Sequence, residues 1–392
     1  METGGKVLIK DKLGETALNI FKNNNYEITY DIEDCDIICI RSKTKITKEI
    51  IDKAKNLKVI GCFCIGTNNV DLDYALEKGI PVFNCPSGNT RSVAEYTIAQ
   101  IINLSRQLRE FDINMSRNIW NKYSTNCFEI KNKTLGIIGL GNIGKQVSVI
   151  AESLGMNVLY YDIKDIVPIG NAKKCEDLNS LFKYSNFITI HVPLLESTKN
   201  LVNKDLLNQM TSEGQHFIIN ASRGGVLNHN DLYEALVSNK LDGAVVDVFP
   251  NEPLKSFDKW PLENSIENKI IKLKNVIFTP HIAGSTEESQ SNIGIDVATK
   301  IVNYLKTGRT ISSVNFPELV GNENSIINIH KNIPGSLSKI NNILSKHNII
   351  TQELKTKNKI GCCIFKIEDQ NLRTNLIDKL NKLDITIFNR IL

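Results

Sequence analysis

Residues 135 to 146 read LGIIGLGNIGKQ, and within them Gly139, Gly141 and Gly144 form the pattern G-x-G-x-x-G after an apolar run and before a stretch of helical periodicity. Such a turn suits a strand that passes directly into a helix. The first glycine permits the tight turn, the second lets the backbone approach a pyrophosphate, and the third lets helix pack on strand. The free N–H groups at the helix start then face an anion. A glycine pattern alone is weak, because glycine-rich turns at strand ends are often purely structural. Here the next apolar run, NVLYYD, ends in Asp162, 18 residues beyond Gly144. A carboxylate there accepts both ribose hydroxyls and repels a 2′-phosphate, so NAD is expected rather than NADP, with Lys164 the one residue nearby that pulls the other way.

The motif sits in a longer alternation. Short apolar runs at 6–10, 26–30, 36–40 and 57–62 are separated by segments of helical character, and a second series follows at 135, 157, 187, 216, 243 and 275. Strand–helix alternation of this kind makes parallel α/β sheets. The expected fold class is α/β: two doubly wound parallel-sheet domains and a small C-terminal α+β domain. Residues 1–88 and 284–318 would form one domain, 89–283 an inserted dinucleotide-binding domain, and 322–392 a βαββαβ tail large enough to fold separately after a linker. The stretch 92–111 has helical spacing, with Ser92 and Glu95 placed as a capping box, and a second helix is expected over 286–307.

Composition narrows the function classes. The chain has 392 residues, 41% hydrophobic and 23% charged, with 47 basic and 43 acidic residues spread along its length. No basic block with interleaved aromatics appears, which argues against nucleic acid as a partner. Nine cysteines without CxxC spacing argue against a metal centre and against a disulfide framework. No apolar run is long enough for a membrane span, and residues 1–10 lack the apolar core of a signal peptide, so a reducing cytoplasmic setting is expected.

Three strand ends carry chemistry. NASRGG follows the run HFIIN and supplies Arg223; DVFPNEP follows GAVVDV and supplies Glu252; TPHIAG follows NVIF and supplies His281, the three spaced 29 residues apart. Open α/β sheets bind ligands at the carboxyl edge of their strands. A guanidinium there can grip a carboxylate in a forked contact and polarise the adjacent carbonyl. An imidazole can exchange an alcohol proton near neutral pH, and a carboxylate on its other nitrogen would raise its pKa and set its tautomer. The set suits hydride transfer at a carbon bearing oxygen. Taken singly, Arg223 could cap a loop, Glu252 could be solvated and His281 structural; what favours the functional reading is that they occur together. His191, at the end of FITIH, reads as lining the cofactor site.

Two further segments follow strands. Arg41, Ser42 and Lys43 end DIICI, and two cations flanking a hydroxyl suit a phosphate, although a solvated loop is the ordinary reading of such a stretch. GCFCIGTNNVDLD offers backbone N–H groups around Ile65 and Gly66 for a carboxylate, and CPSGNTRSVAEY adds Asn89.

GLGNIGKQ, HVPLLESTKNL, NASRGGVLN, DVFPNEP and TPHIAGSTEES resemble, in order and over residues 1–316, the D-isomer-specific 2-hydroxyacid dehydrogenases. The resemblance implies that Arg223 binds and polarises the substrate, that Glu252 pairs with His281, and that His281 is proton donor in reduction and base in oxidation. It also implies NAD contacts for Asn142, Ile143, Asp162, Ala221, Ser222, Asp247, His281, Ala283 and Gly284. RSKT, GCFCIGTNNVDL and SGNTRSVAE are similar to the branch of the family acting on 3-phospho-D-glycerate; a dehydrogenase or reductase for another 2-hydroxy or 2-oxo acid, such as 2-hydroxyglutarate or hydroxypyruvate, and an NAD-sensing corepressor-like binding protein are the alternatives. The tail resembles an ACT domain, the module through which some members sense serine. That implies an amino-acid effector at His330, Asn332, Pro334 and Gly335, with Ile350 standing where an asparagine is expected. The family further implies a homodimer or homotetramer, with the region of Trp120 packed across a dimer.

Overall fold

In the computed structural model, residues 4–211, 214–253, 260, 263 and 265–392 are described. Their contacts define two compact units, Met1–Gly88 with Gln290–Leu392, and Asn89–Ser289. The segment 255–275 has no functional reading in the sequence, and its residues 255–259, 261, 262 and 264 lie outside the described residues.

The first unit begins with β1 (Gly5–Ile9), β2 (Tyr26–Thr29), β3 (Ile37–Ile40), β4 (Val59–Cys62) and β5 (Val82–Asn84). All five are parallel, in the order β2-β1-β3-β4-β5. β3 and β4 are buried at every position, which is why they read as unbroken apolar runs: helices cover both faces of a parallel sheet. One of those covers is the long helix Glu287–Thr307, whose Ile293, Val297 and Ile301 pack into the core with Phe21, Phe63 and Phe83.

The second unit carries seven parallel strands: β6 (Thr134–Ile138), β7 (Asn157–Tyr161), β8 (Lys173–Lys174), β9 (Phe187–Ile190), β10 (Phe217–Asn220), β11 (Gly243–Val246) and β12 (Val276–Phe278). Their order is β12-β11-β10-β9-β6-β7-β8. The chain therefore starts at β6, builds outward to β8, then returns to β9 on the other side of β6. Strand order reverses between β6 and β9, and a crevice opens at the carboxyl ends on such a reversal.

The helix Thr90–Arg106 enters this unit, and its start corrects the expected capping box. Asn89 occupies the N-cap position, so Ser92 already lies in the first turn. The Ser92 hydroxyl meets that of Thr286 at 2.8 Å, and Glu95 accepts from Arg91 at 2.6 Å. The helix ends where Gln107 turns left-handed (φ 50°), and a second helix, Leu108–Ser116, follows.

The tail consists of β13 (Ile326–Lys331), the helix Ser336–Leu344, β14 (Ile349–Lys357), β15 (Ile360–Ile367), the helix Arg373–Asn381 and β16 (Thr386–Ile391). Its antiparallel sheet has the order β14-β15-β13-β16. Ile326, Cys363 and Phe365 pack with Ile340, Leu344, Leu376 and Leu380 of the two helices. The other face, with Ile327, Ile329, Ile360, Cys362 and Ile364, shares one core with Phe83, Tyr304, Phe316 and Leu319. The sequence reading makes the tail a separate module behind a linker; the physical reason it joins the first unit is that Ile327 and Ile329 of β13, with Ile360, Cys362 and Ile364 of β15, form an apolar face that the two helices leave uncovered.

Candidate active site

The glycine turn has the stereochemistry its spacing implies. Gly139 has φ +90°, and a Cβ on it would lie 2.8 Å from the His191 carbonyl oxygen; a Cβ on Gly144 would lie 2.2 Å from the Gly139 oxygen. Above Gly141 nothing lies within 4 Å. The turn is thus closed against the start of the loop after β9 and against its own helix, Asn142–Ser153, while the face at Gly141 stays open to a diphosphate. Asn142 and Ile143 form the first turn of that helix. Asp162, just past β7, accepts the Leu140 N–H on Oδ2 and the Lys164 N–H on Oδ1, each at 2.8 Å, so it ties the glycine turn to its own loop. His191 Nε2 lies 3.0 Å from the Thr189 hydroxyl, and burial pushes its imidazole down to about 3, which keeps it neutral at physiological pH.

β10, β11 and β12 lie side by side with Asn220, Val246 and Phe278 in register. The loops leaving them carry Arg223, Glu252 and His281. His281 Nδ1 lies 2.7 Å from Glu252 Oε2, and Glu252 Oε1 accepts the Phe249 N–H at 3.0 Å. The Glu252 hydrogen bond raises the His281 pKa above its ordinary value, against burial and the nearby charge of Arg223. For Glu252, burial opposes ionisation, but the His281 hydrogen bond, the Phe249 N–H and Arg223 outweigh it and hold the carboxyl below its ordinary value. With Nδ1 engaged, Nε2 of His281 is the nitrogen left to exchange a proton. Arg223 Nη1 donates to the Ser222 carbonyl at 2.7 Å.

Asp247 organises this edge. His281 sits in the left-handed region at φ 54°, with its N–H donating to the Asp247 carbonyl at 2.8 Å. The fully buried Asp247 carboxylate accepts the Thr279 hydroxyl at 2.6 Å and the N–H groups of Ile282 and Ala283 at 2.9 Å each. Burial raises its pKa, and those three donors partly offset the rise. The sequence reading gives Asp247 a cofactor contact; the geometry adds that it shapes the turn bearing His281. The Ala283 methyl packs with Val93 and Ala221, and a Cβ on Gly284 would lie 2.3 Å from Asn89 Nδ2. Ser222 donates both its N–H and its hydroxyl to Asn220 Oδ1, at 3.1 and 2.9 Å. Gly224 is required by close approach: a Cβ there would lie 2.1 Å from the Phe249 carbonyl. Thr279 and Asn220 are not singled out by the sequence: Thr279 acts through a bond to the distant Asp247, and Asn220 through bonds inside its own loop.

In the first unit, Arg41, Ser42 and Lys43 follow β3, and the Ser42 and Lys43 side chains are exposed. The Arg41 N–H donates to Asp11 Oδ2 at 2.6 Å, and its Nη2 donates to Gln290 Oε1 at 2.5 Å. Asn69 donates to the carbonyls of Arg41 at 2.9 Å and Thr44 at 2.5 Å, holding the loop. In the loop after β4, Asn84 donates to the Ile65 carbonyl at 2.5 Å and the Cys64 thiol to that of Gly66 at 3.1 Å. Asp11, Asn84 and Gln290 are contributions that no local motif announces, and Asn69 lies inside GCFCIGTNNVDLD without being singled out by it.

In the tail, the His330 side chain is buried, its Nδ1 2.8 Å from Asn328 Oδ1, and burial lowers its pKa. Asn332 is exposed, Gly335 has φ +87°, and Ile350 is exposed. Trp120 is 80% exposed and lines a shallow apolar pocket with Phe111, Met115, Ile119 and Tyr123. All nine cysteines are free. Among the described residues no cluster of His, Cys, Asp and Glu is arranged for a metal, and no helix is long and apolar enough to cross a membrane.

Residues 98–283 match the family model described as D-isomer specific 2-hydroxyacid dehydrogenase, NAD binding domain. The chain is 41% identical over 411 residues to D-3-phosphoglycerate dehydrogenase 1 of Saccharomyces cerevisiae, covering 99% of this chain and 87% of that protein. It is 42% identical over 403 residues to D-3-phosphoglycerate dehydrogenase of Dictyostelium discoideum, covering 99% and 97%. Among solved structures, the NAD-complexed D-isomer specific 2-hydroxyacid dehydrogenase from Lactobacillus delbrueckii ssp. bulgaricus superposes with a TM-score of 0.70 at 25% identity, covering 79% of this chain and all of that one.

Proposed function

The chain belongs to the D-isomer-specific 2-hydroxyacid dehydrogenases, and on that premise we propose that it oxidises 3-phospho-D-glycerate to 3-phosphohydroxypyruvate with NAD, the first step of phosphorylated L-serine biosynthesis. The observation that carries the reading is the 2.7 Å His281–Glu252 contact, at the end of a strand that lies two strands from Arg223's. NAD supplies an acceptor for the hydride leaving C2 of the substrate. Arg223 holds the substrate carboxylate and polarises C2–O. His281 Nε2 takes the hydroxyl proton as the C2–H electron pair departs, and Glu252 stabilises the imidazolium that results. In reduction the same proton returns from His281. Asp162 takes the ribose hydroxyls, with the turn Gly139–Gly144 at the diphosphate.

The phosphate falls to Arg41, Ser42 and Lys43, and the carboxylate also to N–H groups around Ile65 and Gly66, with Asn89 completing the substrate set. The protein acts as a homodimer or homotetramer through the Trp120 face. The tail takes an amino-acid effector at the turn with His330, Asn332 and Gly335. Nine free thiols suit a reducing cytoplasm.

The test is direct. Purified protein should reduce NAD with 3-phospho-D-glycerate and consume NADH with 3-phosphohydroxypyruvate, followed at the NADH absorbance. Absence of both reactions, with NAD still bound, would favour a sensor. Arg41→Ala should raise KM for the phosphorylated substrate by about 10–100-fold through loss of a charge-assisted contact, and should leave an unphosphorylated 2-hydroxy acid nearly unaffected.

A further inference from the structure

The second unit contains another histidine–glutamate pair, behind the first. His229 opens the helix His229–Val237 on the segment that continues from Arg223, and Glu267 lies in the helix Ile266–Ile270 just before β12. His229 Nδ1 is 2.7 Å from Glu267 Oε1, with side chains only 3% and 15% exposed. The pair therefore joins the segment leaving β10 to the segment entering β12. Between them comes the segment leaving β11: the His229 ring meets Phe249 edge-on, centroids 6.1 Å apart.

Phe249 is the common support of the acid/base edge. Its N–H holds Glu252 Oε1, and its carbonyl is the surface against which Gly224, next to Arg223, must pack. Its ring is gripped on other sides by Trp260 at 4.2 Å and Phe278 at 5.0 Å between centroids, and the Trp260 indole N–H donates to the Asn251 carbonyl at 3.1 Å. Burying a polar pair adds little stability over apolar residues of equal volume. What a directional 2.7 Å contact adds is a fixed distance between the two segments that flank Phe249.

We propose that His229 and Glu267 are positioning residues for the reaction: by fixing Phe249 they hold Glu252 on His281 and so maintain the proton affinity of His281. The proposal rests on the reading of His281 and Glu252 as the acid/base pair. His281 is faced by Glu252, Asp247 and Arg223, and of these Glu252 is the one whose side chain accepts Phe249's N–H.

The experiment compares full-length protein with His229→Leu, Glu267→Gln and His229→Asn, measuring kcat, KM and the pH dependence of NAD reduction. Oxidation needs neutral His281, so its rate rises with pH through the His281 pKa. His229→Leu and Glu267→Gln should each lower kcat about tenfold with KM for NAD nearly unchanged. Their pH midpoint should move down by about half a unit, because a loosened Glu252 raises His281 less. His229→Asn, which keeps a donor near the Nδ1 position, should recover most of both. Wild-type kcat and midpoint in Glu267→Gln, or an Asn variant as impaired as the Leu variant, would overturn the proposal; if His229→Leu fails to fold by circular dichroism, Glu267→Gln decides. Loss of turnover in the wild-type protein itself would instead count against the proposed reaction, so the two failures are distinguishable.

Discussion

His281 adopts a left-handed backbone conformation that costs a non-glycine residue about 1–3 kcal/mol. The turn persists because Asp247 satisfies three donors around it with a buried carboxylate and a fourth, the His281 N–H, with its carbonyl. That arrangement aims Nδ1 at Glu252 and leaves Nε2 for the proposed proton exchange. Glu252→Gln should therefore act in two ways. It removes the anion that stabilises the imidazolium, lowering kcat by about 10–100-fold, and it lets the His281 pKa fall. Since oxidation requires the neutral ring, the pH midpoint of kcat should move to lower pH, and in reduction the activity should be lost at lower pH than in wild type. Stopped-flow and steady-state pH profiles check both; an unshifted midpoint would show that Glu252 does not set the proton affinity. At this scale Arg223, Glu252 and His281 are legible as types after strands, whereas the bonds of Asp247 to the His281 turn are not, because three of its four donors lie 34 or more residues away in the sequence.

At the scale of elements, the site exists because β10, β11 and β12 are neighbours in register. The equal 29-residue spacing reflects two successive crossover connections, each of which returns the chain to the same sheet edge. The loops then need room to touch. Gly224→Ala would place a methyl carbon 2.1 Å from the Phe249 carbonyl, and moving either loop by roughly an ångström should cost about 100-fold in kcat/KM. Steady-state kinetics on folded Gly224→Ala tests it, and near-wild-type kcat/KM would mean that the contact is dispensable. The apolar runs mark most strands because central parallel strands are covered on both faces. β8, of two residues, is too short to show periodicity. The helix starts at Thr90, after an Asn89 whose side chain makes no capping bond, and Ser92 pairs with Thr286 instead, so the local spacing of Ser92 and Glu95 is misleading.

For the whole molecule, the tail is part of the first unit's core. Ile329→Ala should destabilise β5 along with β13, by about 2–4 kcal/mol, seen as joint loss of amide-exchange protection; loss confined to the tail would contradict a shared core. On the proposed assembly through the Trp120 face, Trp120→Glu should give smaller species than wild type in sedimentation, because it places a charge in the apolar face of Phe111, Met115 and Ile119; an unchanged sedimentation profile would count against that face. The sequence by itself determined the α/β alternation, the dinucleotide turn and the three chemical side chains, since each is written in local periodicity or in a short motif tied to a strand end. Tertiary structure alone decided that Glu267 meets His229, that Asp247 holds the His281 turn, and that the tail's sheet closes on Phe83 and Tyr304. Those outcomes depend on which strands become neighbours and on which apolar faces are left uncovered, and neither is a property of any one segment.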